Sequence, residues 1–314
     1  MLTETTATSA PAPPPFEAEE LPFPFNQRPF CRYEPIEKRI QAIRVLIIDD
    51  LLRDESDLSD VAYREWGAQV ATELRRERFI AGLAMENIRR NIERLVREPE
   101  IEIAHLSDAS QAVARFQPQA IVLSGTLRDF DFYQPEMIAR FATFIRETKI
   151  PVLAICGGHQ LVGQCFGAQI VTLDNQEPHT KRTGRVNEYQ YRFIRITNPA
   201  DPIFKGIADE NSGVWQDYTK EENILRVWQN HGLQLDRVPE GFELLGTAYL
   251  CKNQMMVKRA GGQLIYAVQF HLEKSFEDWN KNHTRWEHPN ESRDGRILFE
   301  NFLELALAHP ASVS

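Results

Sequence analysis

No run of apolar residues in this chain approaches the roughly eighteen that a membrane-spanning helix needs, so no membrane association is expected. Basic residues are in deficit: 36 lysines and arginines stand against 45 aspartates and glutamates, for a formal net charge of -9. Nucleic acid is therefore not the expected partner, because phosphate binding draws on a basic surface. Cysteine is scarce, with four (Cys31, Cys156, Cys165, Cys251) in 314 residues and no Cys-x-x-Cys pair. That excludes a disulfide framework and makes a zinc ribbon unexpected. Met1 to Ala12 carry neither a basic flank nor an apolar segment, so no signal peptide is expected. A reducing, cytoplasmic setting follows.

Apolar residues make up 42% and charged residues 26%, a balance that suits a globular protein with a sizeable core. Proline is concentrated at one end: eight of the 18 prolines lie in the first 35 residues. Proline removes backbone donors and favours extended chain, so residues 1–40 read as a tail, with a proline-rich ligand for a partner as the alternative. Residues 41–314 read as one α/β domain. Val45–Ile48 is a short β-branched run closed by Asp49 and Asp50. Similar runs follow at 101–106, 120–123 and 152–155, with helical patterns at 107–116 and 135–148 between them. Such alternation predicts a largely parallel central sheet covered by helices on both faces. After residue 170 the texture is β-rich, with candidate strands at 189–197, 225–229, 242–248, 255–258 and 265–270, then a helix over 294–308. The sheet is accordingly expected to be mixed.

The connection from Asp50 to Ile101 is long and charged. Ile80, Ala84, Ile88, Ile92 and Val96 recur every fourth residue with arginines interleaved, which predicts amphipathic helix over about 58–97. It packs on the domain's own sheet or serves as a partner-docking insertion that could be deleted without loss of solubility.

The strongest local signal is Pro151-Val-Leu-Ala-Ile-Cys156-Gly-Gly-His-Gln160. An apolar strand, a cysteine, two glycines and a helix start make the architecture of a nucleophile elbow. Glycine at 157 and 158 removes the Cβ that would obstruct so tight a bend. The helix N-terminus offers free N–H groups to a thiolate or an oxyanion. A cysteine nucleophile needs a base and a group to orient it. Gln269-Phe-His271-Leu-Glu273 supplies both, because residues two apart in extended chain face one way.

Ile-Cys-Gly-Gly-His-Gln followed downstream by Gln-Phe-His-Leu-Glu resembles the class I (triad) glutamine amidotransferases, and the resemblance covers about 45–308. Trp228-Gln-Asn-His-Gly-Leu-Gln-Leu-Asp236 is similar to the Asn-His-Gly segment of the glutaminase subunit of carbamoyl-phosphate synthetase. Val122-Leu-Ser-Gly125-Thr126 stands where the family carries its oxyanion loop; Glu188-Tyr189 and 201–206 also fall where members have similar stretches. The resemblance implies a flavodoxin-like fold. It implies hydrolysis of glutamine by Cys156, with His271 as base and then acid and Glu273 orienting it. The N–H groups of Gly157 and of Gly125 or Thr126 would bind the oxyanion. Gln160, Asn230, Gly232 and Leu233 would line the glutamine pocket. Members usually deliver ammonia to a synthetase, here expected to be a separate protein, since only about 40 residues follow Glu273.

The sequence departs from the family in one loop. The usual Ser-Gly-Gly-Pro-Gly is Ser124-Gly-Thr-Leu-Arg128-Asp129, which makes Arg128 and Asp129 candidates for changing the amide accepted. Other classes stay open: a γ-glutamyl hydrolase acting on a glutamyl conjugate, or a non-catalytic binding module on the same fold. A phospho-receiver reading of Asp49-Asp50 is set aside because Ser124 stands where that fold needs an aspartate. Neither cofactor nor metal is expected. The spacing of His283, Glu287, His288 and Glu291 fits no standard site; His159 reads as packing or facing solvent and His231 as loop-shaping.

Overall fold

The computed structural model describes residues 37–207, 223–274 and 293–310. The proline-rich tail up to residue 36 and the segment carrying His283, Glu287, His288 and Glu291 lie outside the described residues.

Nine strands form one mixed sheet: β1 (Ile40–Asp49), β2 (Val96–His105), β3 (Ala120–Leu123), β4 (Val152–Ile155), β6 (Glu188–Ile196), β7 (Ile224–His231), β9 (Glu243–Thr247), β10 (Met255–Lys258) and β11 (Ile265–Val268). Their order is β2-β1-β3-β4-β11-β10-β9-β6-β7. The first five are parallel and the rest antiparallel. A two-stranded ribbon pairs β5 (Ile170–Thr172) with β8 (Leu233–Leu235). The helices are α1 (Asp60–Trp66), α2 (Val70–Leu95), α3 (Ala109–Phe116), α4 (Pro135–Glu147), α5 (Gly157–Cys165) and α6 (Arg293–Ala308).

The continuous apolar runs are continuous because both faces are buried. Val45 and Ile47 enter one core with Ala120, Val122, Leu153, Ile155, Tyr266 and Val268, beneath α2 and α6. Leu46 and Ile48 enter the other with Ile121, Leu123, Val152, Ala154, Ile265 and Ala267, beneath α1, α3, α4 and α5. This is the two-residue side-chain period of a strand read on both sides at once. No described helix is long and apolar enough to cross a membrane.

Three boundaries differ from the sequence pattern, each for a physical reason. The helical stretch expected over 58–97 is broken at Gly67, whose φ of 49° suits glycine and ends α1. The strand expected from Ile101 begins at Val96, directly after α2. Its first half, Arg97-Glu-Pro-Glu100, is polar because β2 is an edge strand, and charge and proline at an edge discourage further pairing. The β5–β8 ribbon, with strands of three residues, left no periodic signal.

The long helix is part of the core. Met85, Ile88, Ile92 and Leu95 of α2 are buried beside β1 and β2, so of the two readings left open for 58–97 the helix takes the packed one, and removing it would uncover one face of the sheet. Ile92→Ala is expected to lower unfolding free energy by about 2–5 kcal/mol in denaturant titration, with the slope unchanged. A loss below about 0.5 kcal/mol would mark α2 as an appendage.

Candidate active site

Strand β4 ends at Ile155, and Cys156 turns the chain into α5 with φ 51° and ψ -102°. A non-glycine residue there is strained by about 1–3 kcal/mol. The surroundings hold it. The Cys156 N–H donates to the Val268 carbonyl at 2.8 Å and the Gly158 N–H to the Ser124 carbonyl at 3.0 Å. A Cβ added at Gly157 would lie 2.3 Å from Thr126 Oγ1 and 2.4 Å from Thr126 N; one at Gly158 would lie 2.8 Å from the Ser124 carbonyl oxygen. The two glycines let the loop after β3 press against the elbow.

His271 follows β11. Its N–H donates to the Trp228 carbonyl at 2.9 Å, and its Nδ1 meets Glu273 Oε1 at 2.7 Å. With Nδ1 bound to the carboxylate, Nε2 is the ring nitrogen left for other work, and the Cys156 side chain interacts with the ring. The ring and Cys156 converge on Gly125: a Cβ built there would touch Cys156 Cβ and His271 Cε1, both at 3.5 Å. Burial acts to lower the His271 pKa, but the charges of Glu273 and Cys156 outweigh it and push it up to about 10. Burial likewise acts to raise Glu273, yet the imidazolium holds it below its ordinary value.

The other expected residues divide. The N–H groups of Gly157, Gly125 and Thr126 donate to no acceptor among the described residues and lie beside the elbow. Gln160 is buried, and its side-chain amide donates to the Leu233 carbonyl and to Gln269 Oε1, both at 3.2 Å, so Gln160 and Leu233 meet. Gly232 packs against Asn187, with room for no Cβ. Asn230 is apart, exposed on β7 opposite Tyr189. Arg128 and Asp129 are engaged by ion pairs, Arg128 with Glu73 and Glu77, Asp129 with Arg182 and Arg185.

Two residues were missed. Gln269 Nε2 donates to Cys156 Sγ at 3.7 Å. The two-residue alternation that groups His271 with Glu273 reaches Gln269 as well, so its signal was present. Asn91 of α2 is buried and donates to the Glu273 carbonyl at 2.6 Å; nothing local in the sequence points to that contact.

His159 is fully buried, and burial pushes its pKa down to about 3, consistent with a packing role. His231 sits at the end of β7, with Nδ1 donating to the Leu233 carbonyl and Nε2 3.0 Å from Glu188. Glu188, His231 and Cys251 bring their ligand atoms within 4.8 Å of one another. The Cys251 thiol donates to the Asn253 carbonyl and the Gln254 amide to Glu188. Burial raises the Cys251 pKa, which opposes metal binding as thiolate. A cleft of about 500 Å³ at the ends of β1 and β2 is lined by Asp49, Arg53, Arg78, His105 and Arg115. Its arginines are paired with Asp49, Asp108 and Glu102.

The charge state of His271 is open to measurement. Its folded pKa is raised from 6.5 to about 10, so its stabilising contribution is complete below about 6.5 and is lost as pH rises through about 10. The Tm gap between the wild type and His271→Asn is expected to be widest near pH 6 and to narrow toward pH 10. A gap of constant size across that range would rule out the charged pair.

Comparison with known proteins adds a family. The model of the family described as "Glutamine amidotransferase class-I" matches residues 84–287, about two thirds of the chain. A glutamine-hydrolysing GMP synthase of Azoarcus sp. is 30% identical over 188 residues, covering 58% of this chain and 31% of that protein. One subunit of the glutamine-hydrolysing GMP synthase of Methanothermobacter thermautotrophicus is 25% identical over 162 residues, covering 52% and 64%. The chain spans about a third of the length of the first curated relatives it matches. Among solved structures, a Thermoplasma acidophilum protein described as a GMP synthase subunit superposes with a TM-score of 0.51 at 19% identity, covering 85% of this chain and 94% of that one. The glutaminase domain of CTPS from Trypanosoma brucei gives 0.50 at 12% identity, with the same coverages. At those identities the likeness concerns the fold, a mixed α/β sheet flanked by helices. By the extent of the family match, this chain belongs to the class I glutamine amidotransferases.

Proposed function

We propose that this protein releases ammonia from the side-chain amide of glutamine, with Cys156 as nucleophile, His271 as proton carrier and Glu273 as the group that orients it. The observation that carries the reading is the convergence at Gly125, where Cys156 Cβ and His271 Cε1 touch the same point while His271 Nδ1 is held by Glu273. Gln269 adds a donor to the sulfur.

The chemistry follows from these positions. Sγ attacks the amide carbon, and the negative charge moves to the carbonyl oxygen. The free N–H groups of Gly157 and of Thr126 or Gly125 receive that oxyanion, a preorganised arrangement that needs no reorientation of solvent. The imidazolium gives its proton to the leaving nitrogen and ammonia departs, leaving a γ-glutamyl thioester. Water, deprotonated by the now neutral ring, attacks the thioester. The tetrahedral adduct collapses, the sulfur is expelled, and glutamate is released. The ring's charge is governed by Glu273 and the sulfur, and loss of the sulfur's charge in the thioester lowers the ring's pKa toward the range in which it can take a proton from water.

Gln160 and Leu233, which meet beside Gln269, together with Gly232, are proposed to shape the pocket for the substrate's backbone end. Asn230, exposed on its strand, would contribute from the rim. The unit responsible is residues 41–314, acting in the cytoplasm without metal or cofactor. One relative is named as a single subunit of a glutamine-hydrolysing synthase, which supports delivery of the ammonia to a separate synthetase.

Purified protein incubated with glutamine and a panel of γ-glutamyl amides is expected to yield glutamate and ammonia, with glutamine preferred. Cys156→Ala should abolish the release, and Glu273→Gln should lower kcat by about 10²–10⁴-fold. Preference for a bulky γ-glutamyl compound would replace the reading with a γ-glutamyl hydrolase, and turnover by Cys156→Ala would overturn it.

A further inference from the structure

The loop after β3 has no glycine beyond Gly125, yet it carries the Thr126 amide against the elbow. Thr126 is in close contact with Gly157: a methyl group there would fall 2.4 Å from its nitrogen. Two residues on, Arg128 is gripped by α2. Its Nε donates to Glu77 Oε1 at 2.7 Å and its Nη2 to Glu73 Oε2. Its guanidinium lies 5.1 Å from the ring centroid of Trp66 on α1. Glu77 is fully buried, so Arg128 is the cation that makes its burial tolerable. The next residue is tied from the opposite side: Asp129 accepts from Arg185 Nη1 and Arg182 Nη1, each at 2.8 Å. The helix that grips Arg128 is itself fixed to the sheet through Arg78 and Asp49 at 2.6 Å.

We propose that the clamp formed by Glu73, Glu77 and Trp66 around Arg128 is what holds the 124–129 loop, and so the Thr126 amide, in oxyanion-binding position. The proposal rests on the glutaminase reading and makes Arg128 and Glu77 positioning residues for it. The fork geometry of arginine matters, because one planar group meets two carboxylates and an indole face together. Arg128 and Asp129 therefore set the place of the loop rather than the choice of amide. Unlike a part serving stability alone, the clamp would act on the transition state and leave substrate binding and the sulfur unaltered.

The test uses the full chain with Arg128→Met, Arg128→Lys and Glu77→Gln. Arg128→Met is expected to lower kcat for glutamine by about 10²-fold, the loss typical of one oxyanion donor. KM should stay within about twofold, and the rate of Cys156 alkylation by iodoacetamide should not change. Glu77→Gln should show a smaller loss of the same kind, and Arg128→Lys should recover part of it. Hydrogen exchange followed by mass spectrometry should rise in the 124–129 peptide of Arg128→Met and stay level in the α5 peptide. Unchanged kcat in Arg128→Met overturns the proposal, as does a fall in kcat matched by slower alkylation and exchange rising across the whole domain. A wild type that releases no ammonia overturns the glutaminase reading and this assignment together; normal turnover in Arg128→Met overturns this assignment alone.

Discussion

The backbone of Cys156 is the constraint on which the rest is built. A left-handed φ at a residue with a Cβ is held only where neighbours over-determine it. Here the determination comes from three contacts: the β11 end accepts its N–H, Gly157 admits Thr126, and Gly158 admits the Ser124 carbonyl. The first contact comes from the end of β11 and the other two from the loop after β3. The parallel order β3-β4-β11 brings the loop after β3, the elbow after β4 and the histidine after β11 side by side. The convergence is a property of sheet order before it is one of side chains.

The second feature is how much charge lies near this edge in paired form. The chain is acidic overall, but the surroundings of the elbow are knit by arginines: Arg78 on Asp49, Arg128 on Glu73 and Glu77, Arg182 and Arg185 on Asp129. Exposed pairs of this sort add little to stability. Those with a fully buried partner differ, because a buried carboxylate without its cation is penalised by desolvation. Such pairs define position more than they add free energy.

Helix α2 links these features. Its apolar stripe fills one core, its N-terminal turns hold Arg128, and Asn91 near its far end holds the Glu273 carbonyl. One rigid element thus touches both the loop beside Cys156 and the backbone of Glu273, so both ends of the site are referred to a single buried frame.

The sequence alone was enough for the parallel strands, the elbow and the pairing of His271 with Glu273. Those signals are local: continuous apolar runs reflect two buried faces, glycines after a strand reflect a tight bend, and two-residue spacing places side chains on one side. It was also enough to expect a helix over most of 58–97, though not its break at Gly67 or the polar start of β2, because edge exposure is decided by neighbours in space. Only the tertiary structure decided that Arg128 turns to α2, that Asn91 reaches Glu273 across 182 residues of chain, and that Asn230 is exposed. Those contacts join segments that share no periodicity, and they exist only because sheet order and helix packing bring distant side chains within hydrogen-bonding range.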